Sequence, residues 1–250
     1  MAHRRHLQGS AFEASLINMR GLLITFEGTE GSGKSTQIAL LTARLQDLGH
    51  KVRTLREPGG TPIGEEIRHT LKHSNVNHGM TPETELLLMN ASRAQLVREV
   101  IRPTLDSGDI ILCDRFYDST VAYQGYGRGL DLALIQQIIS CAVGETRPEL
   151  TLLLNVPVAV SEARRLGRLL PGMENVRDRM EEADRGFFER VEEGYRKLAA
   201  AEPDRVKTID ATLPVESVRK AIWHEVEPLL SRIPGRAHPG FGKVLPKTPV

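Results

Sequence analysis

Cysteine is scarce in this chain of 250 residues: there are two, Cys113 and Cys141. That is too few for a disulfide framework, and their spacing matches no metal site. Each lies in an apolar run, which predicts two buried, reduced thiols. A surplus of either charge is also missing, since the formal net charge is +1. That balance gives no electrostatic case for a general nucleic-acid binder. No apolar run approaches the roughly 20 residues of a membrane span, and no signal-peptide core opens the chain. The expectation is a cytoplasmic protein with neither a membrane nor a nucleic-acid partner.

What is present is an alternation of short apolar runs with helical patterns. "LLITFE" (22–27), "KVRTLR" (51–56), "DIILCD" (109–114), "LTLLLNV" (150–156) and "RVKTID" (205–210) read as strands. Helices are expected from the phosphate loop to Leu48, over 63–72, from Thr81 to Asp106, around 131–142 and from Pro214 to Leu230. Thr81 is placed to cap its helix, with Pro82 in the first turn. Helices also flank an Arg-rich segment at 164–181. Unbroken apolar strands alternating with helices mean a parallel sheet covered on both faces. The ends are different. Residues 1–20 are irregular, and 232–250 hold four prolines and four Lys or Arg with no acid. The expected organisation is an N-terminal extension (1–20), one α/β domain (21–231) and a basic Pro-rich tail (232–250), both ends disordered.

The chemistry is concentrated where strands end. "GTEGSGKST" (28–36) carries the pattern G-x4-G-K-S between a strand and a helix, the context a phosphate loop requires. Glycines 28, 31 and 33 let backbone N–H groups converge on phosphate oxygens. Lys34 reaches the β- and γ-phosphates of ATP, and Ser35 can ligate Mg²⁺. Thr29, Glu30, Ser32 and Thr36 complete the ATP-binding stretch. Asp114 closes the third strand, the place for a carboxylate that holds Mg²⁺ through water. Arg115 beside it makes sense if a second phosphate group lies near. Glu30 is the anomaly, because a carboxylate repels phosphate.

"FEGTEGSGKST", "REPGGT", "LLLMNASRAQLV", "DRFYDSTVAYQGYGRG", "RDRME", "FFERVEEGY" and "TIDATLP" run in this order from about residue 22 to 213. Together they resemble the bacterial type of thymidylate kinase. The resemblance implies a three-layer fold of P-loop NTP hydrolase type, a five-stranded parallel sheet flanked by helices with a mobile Arg-rich lid. It implies the reaction ATP + dTMP giving ADP + dTDP with Mg²⁺, and a homodimer. On this resemblance Glu30 faces away from ATP and meets the 3′-hydroxyl of dTMP, which accounts for its charge. Arg68 and Arg115 hold the dTMP phosphate, and Glu57 orients groups around it. Arg93 donates to the thymine ring, Thr120 and Gln124 read the base edge, and Tyr123 packs against C2′ of the sugar. Met89 stands where the family usually stacks a phenylalanine on thymine. Gly31 follows Glu30 where human-type relatives have an arginine. The arginine on the transferred phosphoryl group is therefore expected from the lid, among Arg164, Arg168 and Arg179. The expected catalytic set is Lys34, Arg115, Arg168 and Glu30. Two other P-loop readings stay open: a deoxynucleoside kinase with Glu27 as base, and a switch ATPase.

Overall fold

The computed structural model describes residues 20–74, 76–167 and 184–233. Nearly all of both expected tails, and the 168–181 part of the expected lid, lie outside the described residues.

The strands are β1 (Leu23–Glu27), β2 (Val52–Arg56), β3 (Ile110–Asp114), β4 (Leu150–Asn155) and β5 (Val206–Asp210). They form one parallel sheet in the order β2-β3-β1-β4-β5. The helices are α1 (Lys34–Asp47), α2 (Pro62–Lys72), α3 (Pro82–Leu96), α4 (Arg102–Asp106), α5 (Tyr117–Thr120), α6 (Leu132–Val143), α7 (Val158–Leu166), α8 (Arg185–Ala201) and α9 (Val215–Val226). The expected five-stranded, helix-flanked α/β architecture is present.

Side-chain alternation along the strands sorts the core into two layers. Ile24 and Phe26 of β1 join Ile110 and Leu112 of β3 against α1 and α9. Leu23, Ile111 and Cys113 point the other way, toward α3 and α6. This is why β1 and β3 read as continuous apolar runs: neither face meets water. β2, at the sheet edge, has exposed and half-buried residues only. All five strands end on the same side, and β1 sits between β3 and β4, so the loops after β1 and β3 are neighbours there.

Three local features depart from expectation. The long helix from Pro82 to Asp106 widens to π geometry over Val97–Ile101. Pro103 lies two residues beyond it, and a proline ring disfavours the regular i→i−4 turn before it. Residues 117–127 are helical, α5 running into a π-helical turn at Val121–Gly127. No helix is expected there from sequence, because the stretch is rich in β-branched and aromatic residues and ends in two glycines. Packing of α8 on it supplies the missing stability. Finally, Cys113 is buried as expected but Cys141 is exposed. On α6 the buried positions are Ile135, Ile139, Ala142 and Val143. Cys141 falls off that stripe despite its apolar neighbours.

Candidate active site

The phosphate loop links β1 to α1. Gly28, Gly31 and Gly33 all have positive φ (130°, 83° and 99°), a region side-chain-bearing residues avoid. Space forbids side chains too: a Cβ on Gly31 would sit 2.7 Å from the Ser161 carbonyl, and one on Gly28 would collide with the Leu154 carbonyl. α2, α3, α6 and α8 begin with side-chain caps from Thr61, Thr81, Asp131 and Asp184. α1 has none, and no acid in its first turn. Its free N–H groups and positive dipole end are left for an anion. Thr29 Oγ1 and Ser32 Oγ in the loop are occluded without a protein partner. Lys34 curls back, its Nζ donating to the Gly28 and Thr29 carbonyls at 3.1 Å each. Burial first, and then the nearby Arg115 guanidinium, bring its pKa down to about 8.

One cleft runs from this loop across the carboxyl ends of β2 and β3. Of the loop residues, Glu30, Gly31, Gly33, Lys34 and Ser35 line it, with Asp114 beside them. Ser35 Oγ approaches Asp114 Oδ2 at 3.4 Å. The expected acceptor residues Glu57, Arg68 and Arg115 line the same cleft, as do Met89, Arg93, Thr120, Tyr123 and Gln124. Segments that lie far apart in sequence therefore converge on one space. Gly28, Thr29, Ser32 and Thr36 belong to the loop without lining the cleft. Arg164 is half-buried on α7 and also outside the lining. Arg168 and Arg179 lie outside the described residues.

The wall opposite the phosphate loop is tightly tied. Arg93 is 2% exposed, and its five N–H groups all have protein partners. Nε and Nη2 meet Glu57 Oε2 at 2.8 and 2.7 Å; Nη1 donates to Asn90 Oδ1 and Thr120 Oγ1, both at 2.9 Å; Nη2 also donates to the Phe116 carbonyl at 3.2 Å. A base carbonyl reaching Arg93 would have to share one of these hydrogens. Burial raises the Glu57 carboxyl to about 7 against the pull of Arg93. Its second oxygen, Oε1, is occluded without a partner.

Arg115 is held differently. Its hydrogen bonds all go to neutral hydroxyls: Ser119 Oγ at 3.1 Å, Tyr195 OH at 3.2 Å and Tyr123 OH at 3.1 Å. Behind them lies Glu27, fully buried. It accepts from the Phe116 N–H at 2.7 Å, Ser119 Oγ at 2.6 Å and Tyr195 OH at 2.7 Å. Burial, then Asp118, raises its pKa, while Arg115, Ser119 and Tyr195 pull it back. Sequence reasoning assigned no role to Ser119 or Tyr195, whose partner Glu27 is 168 positions from Tyr195. It also missed Phe116, Lys72 and Phe188 in the lining. For Lys72 there was a signal, since it follows Arg68 by four residues on one helix.

The arrangement can take two anions in one cleft, one at the loop and α1 and one at Arg68 and Arg115, with Met89, Arg93, Thr120, Tyr123 and Gln124 lining the same space. The thymidylate kinase family profile matches residues 26–222. The thymidylate kinase of Geobacter sulfurreducens is 47% identical over 216 residues, which is 86% of this chain and all of that one. That of Deinococcus radiodurans is 47% identical over 207 residues, 83% of this chain and 97% of the relative. Among solved structures, the thymidylate kinase of Ehrlichia chaffeensis superposes with a TM-score of 0.66 at 30% identity, over 83% of this chain and 99% of that one. The chain belongs to the thymidylate kinase family.

Proposed function

We propose that the protein transfers the γ-phosphoryl group of ATP to dTMP, giving dTDP and ADP. The observation that carries this is Arg115. It is a charge bonded to neutral hydroxyls alone, in the cleft that the phosphate loop enters. A guanidinium so placed suits an anionic acceptor. The loop amides, the α1 N-terminus and Lys34 take the ATP phosphates. Arg68 and Arg115 take the phosphate of dTMP. Glu30 accepts from the sugar 3′-hydroxyl, and Tyr123 packs on the sugar. Met89 covers one face of the base, while Thr120 and Gln124 meet its edge with Arg93 behind them. Phosphoryl transfer then depends on alignment and charge stabilisation, so no side chain has to act as a general base.

Ser35 and Asp114 suit Mg²⁺. They offer a hydroxyl and a carboxylate 3.4 Å apart, with nucleotide phosphates and water to complete a hard-oxygen shell. Among the described residues no three His, Cys, Asp or Glu side chains gather into a metal group, so the phosphates are needed for the site to form. Held there, Mg²⁺ would supply positive charge to offset that of the nucleotide phosphates. The proposal also includes a homodimer in the cytoplasm. Exposed Leu87 on α3 and Leu132 and Leu134 on α6 offer apolar contact on neighbouring helices, and two free cysteines fit a reducing compartment.

The deoxynucleoside kinase reading needs a free base near a sugar hydroxyl. Glu27 does not line the cleft and is occupied by three donors. A coupled ADP-release assay with dTMP, dUMP, dCMP, dGMP and thymidine tests the proposal. Turnover with dTMP and none with thymidine is the expected result. Turnover with thymidine alone, or ATP hydrolysis indifferent to every acceptor, would overturn it.

A further inference from the structure

Behind the cleft wall, a buried carboxylate decides which way Gln124 faces. Glu85 on α3 is 0% exposed and does not line the cleft. Arg128 pairs with it, Nη2 to Oε2 at 3.0 Å and Nε to Oε1 at 3.3 Å. Gln124 Nε2 donates to Glu85 Oε1 at 2.7 Å. An ionised carboxylate only accepts, so the opposite amide orientation would press a carbonyl against a buried negative charge. The amide nitrogen of Gln124 is therefore turned back. Its Oε1 accepts nothing from the described residues, yet it is not among the sealed, unpartnered atoms. It is left to the cleft that Gln124 lines.

The neighbouring group has the complementary character. Thr120 lies one turn earlier on the same helical stretch, and its Oγ1 accepts from Arg93 Nη1 at 2.9 Å. With that lone pair used, its own proton is available to donate. The wall thus offers an acceptor, Gln124 Oε1, beside a donor, Thr120 Oγ–H. Their complement is an N–H beside a C=O, the imide edge of thymine and uracil. Cytosine presents the reverse, a bare ring nitrogen beside an amino group.

We propose that Glu85 is a positioning residue that locks the Gln124 amide as an acceptor, so that the cleft selects pyrimidine monophosphates with an N3–H next to a carbonyl and rejects cytosine. This rests on the functional reading above, in which the base of dTMP lies against Thr120 and Gln124. The selection is made on the hydrogen-bond pattern of the ring edge. A mispaired edge leaves polar groups buried without partners, the strongest form of rejection.

The test compares kcat/KM for dTMP and dCMP in the wild type, Glu85→Gln, Gln124→Met and the double variant, with KM for ATP and thermal midpoints. Glu85→Gln can hold either amide orientation of Gln124. The dTMP-to-dCMP ratio should fall at least tenfold, with KM for ATP unchanged. In the Gln124→Met background the same change should leave the ratio alone, because the path through Gln124 is gone. Equal losses for both substrates, or an effect that persists in the Gln124→Met background, would make Glu85 a structural residue and overturn the proposal. Should Glu85→Gln fail to fold, the wild type still decides through binding of dTMP and N3-methyl-dTMP. The first should bind and the second should be refused; equal binding of the two overturns the proposal. A wild type that uses dTMP and dCMP equally sinks this inference alone. One that phosphorylates no pyrimidine monophosphate sinks the functional reading with it.

Discussion

Tyr195→Phe removes one oxygen and keeps the ring that packs with Tyr123, Phe187 and Val191. The lost hydroxyl donates to Glu27 Oε2 at 2.7 Å and accepts from Arg115 Nη1 at 3.2 Å. A hydrogen bond to a buried charged group contributes about 1.5–3 kcal/mol. Glu27 keeps the Phe116 N–H and Ser119, so the lower part of that range applies, about 1.5–2 kcal/mol. For a domain of this size that is a fall of roughly 3–8 °C in thermal midpoint. Its pH dependence has a definite sign. The folded-state pKa of Glu27 is already raised, and Tyr195 is one of the groups pulling it down. Without the hydroxyl it rises further. An acid with a raised folded pKa costs stability when ionised, so the deficit should be largest at neutral pH and shrink as acid protonates the carboxyl. Arg115 also loses one of three acceptors, and dTMP KM should rise about fivefold, the equivalent of about 1 kcal/mol, with ATP KM unchanged. Calorimetry from pH 5 to 8 and coupled ADP release read both effects. A fall in midpoint with untouched dTMP kinetics would show that the hydroxyl does not place Arg115. A deficit that grows in acid would refute the account of Glu27.

Lys34→Ala should cut turnover by orders of magnitude with the fold retained if, as proposed, the ammonium stabilises charge on the transferred group; near-normal turnover in circular-dichroism-verified protein would remove the kinase reading. The lowered Lys34 pKa has a consequence for ATP: the ligand-free protein loses that proton as pH rises through about 8. Apparent ATP affinity should therefore weaken roughly fivefold between pH 8 and 9, read by titration calorimetry, and a flat profile would contradict the assignment. Met89 is buried and lines the cleft but joins none of the three apolar clusters among the described residues. Met89→Ala should lower kcat/KM for dTMP about fivefold, the equivalent of about 1 kcal/mol for a sulfur–ring contact, and change the melting temperature little; a large loss of stability with normal dTMP kinetics would make it a core residue.

The phosphate loop was legible because its chemistry needs neighbouring residues in one order: three glycines, a lysine and a serine between strand and helix. The parallel sheet was legible because burial on both faces leaves uninterrupted apolar runs. The residues expected around the acceptor nucleotide came from resemblance, and they do share one cleft. What stayed hidden depends on distance in sequence. Glu27 meets Tyr195 across 168 positions, and Glu85 meets Gln124 across 39. Neither pair has a local signature. The helix at 117–127 was hidden for a related reason: Phe116 gives it no side-chain cap, and its stability comes from α8. Cys141 shows the opposite error, where local composition suggested burial and helix phase decided against it.

Arg115 is the one non-glycine residue with positive φ among the described residues, at 69°. Its N–H still donates to the Phe26 carbonyl at 2.9 Å, so the chain turns left-handed immediately after β3 while remaining tied to β1. Holding a long side chain in that conformation costs about 1 kcal/mol or more. Glycine at 115 would relieve it, and would also delete the guanidinium proposed to hold the acceptor phosphate. Thermal tolerance and turnover therefore pull in opposite directions at this position. A library of variants sorted for heat resistance alone should enrich glycine or asparagine at 115 and lose the enzyme, whereas one sorted for growth should keep arginine and its strain.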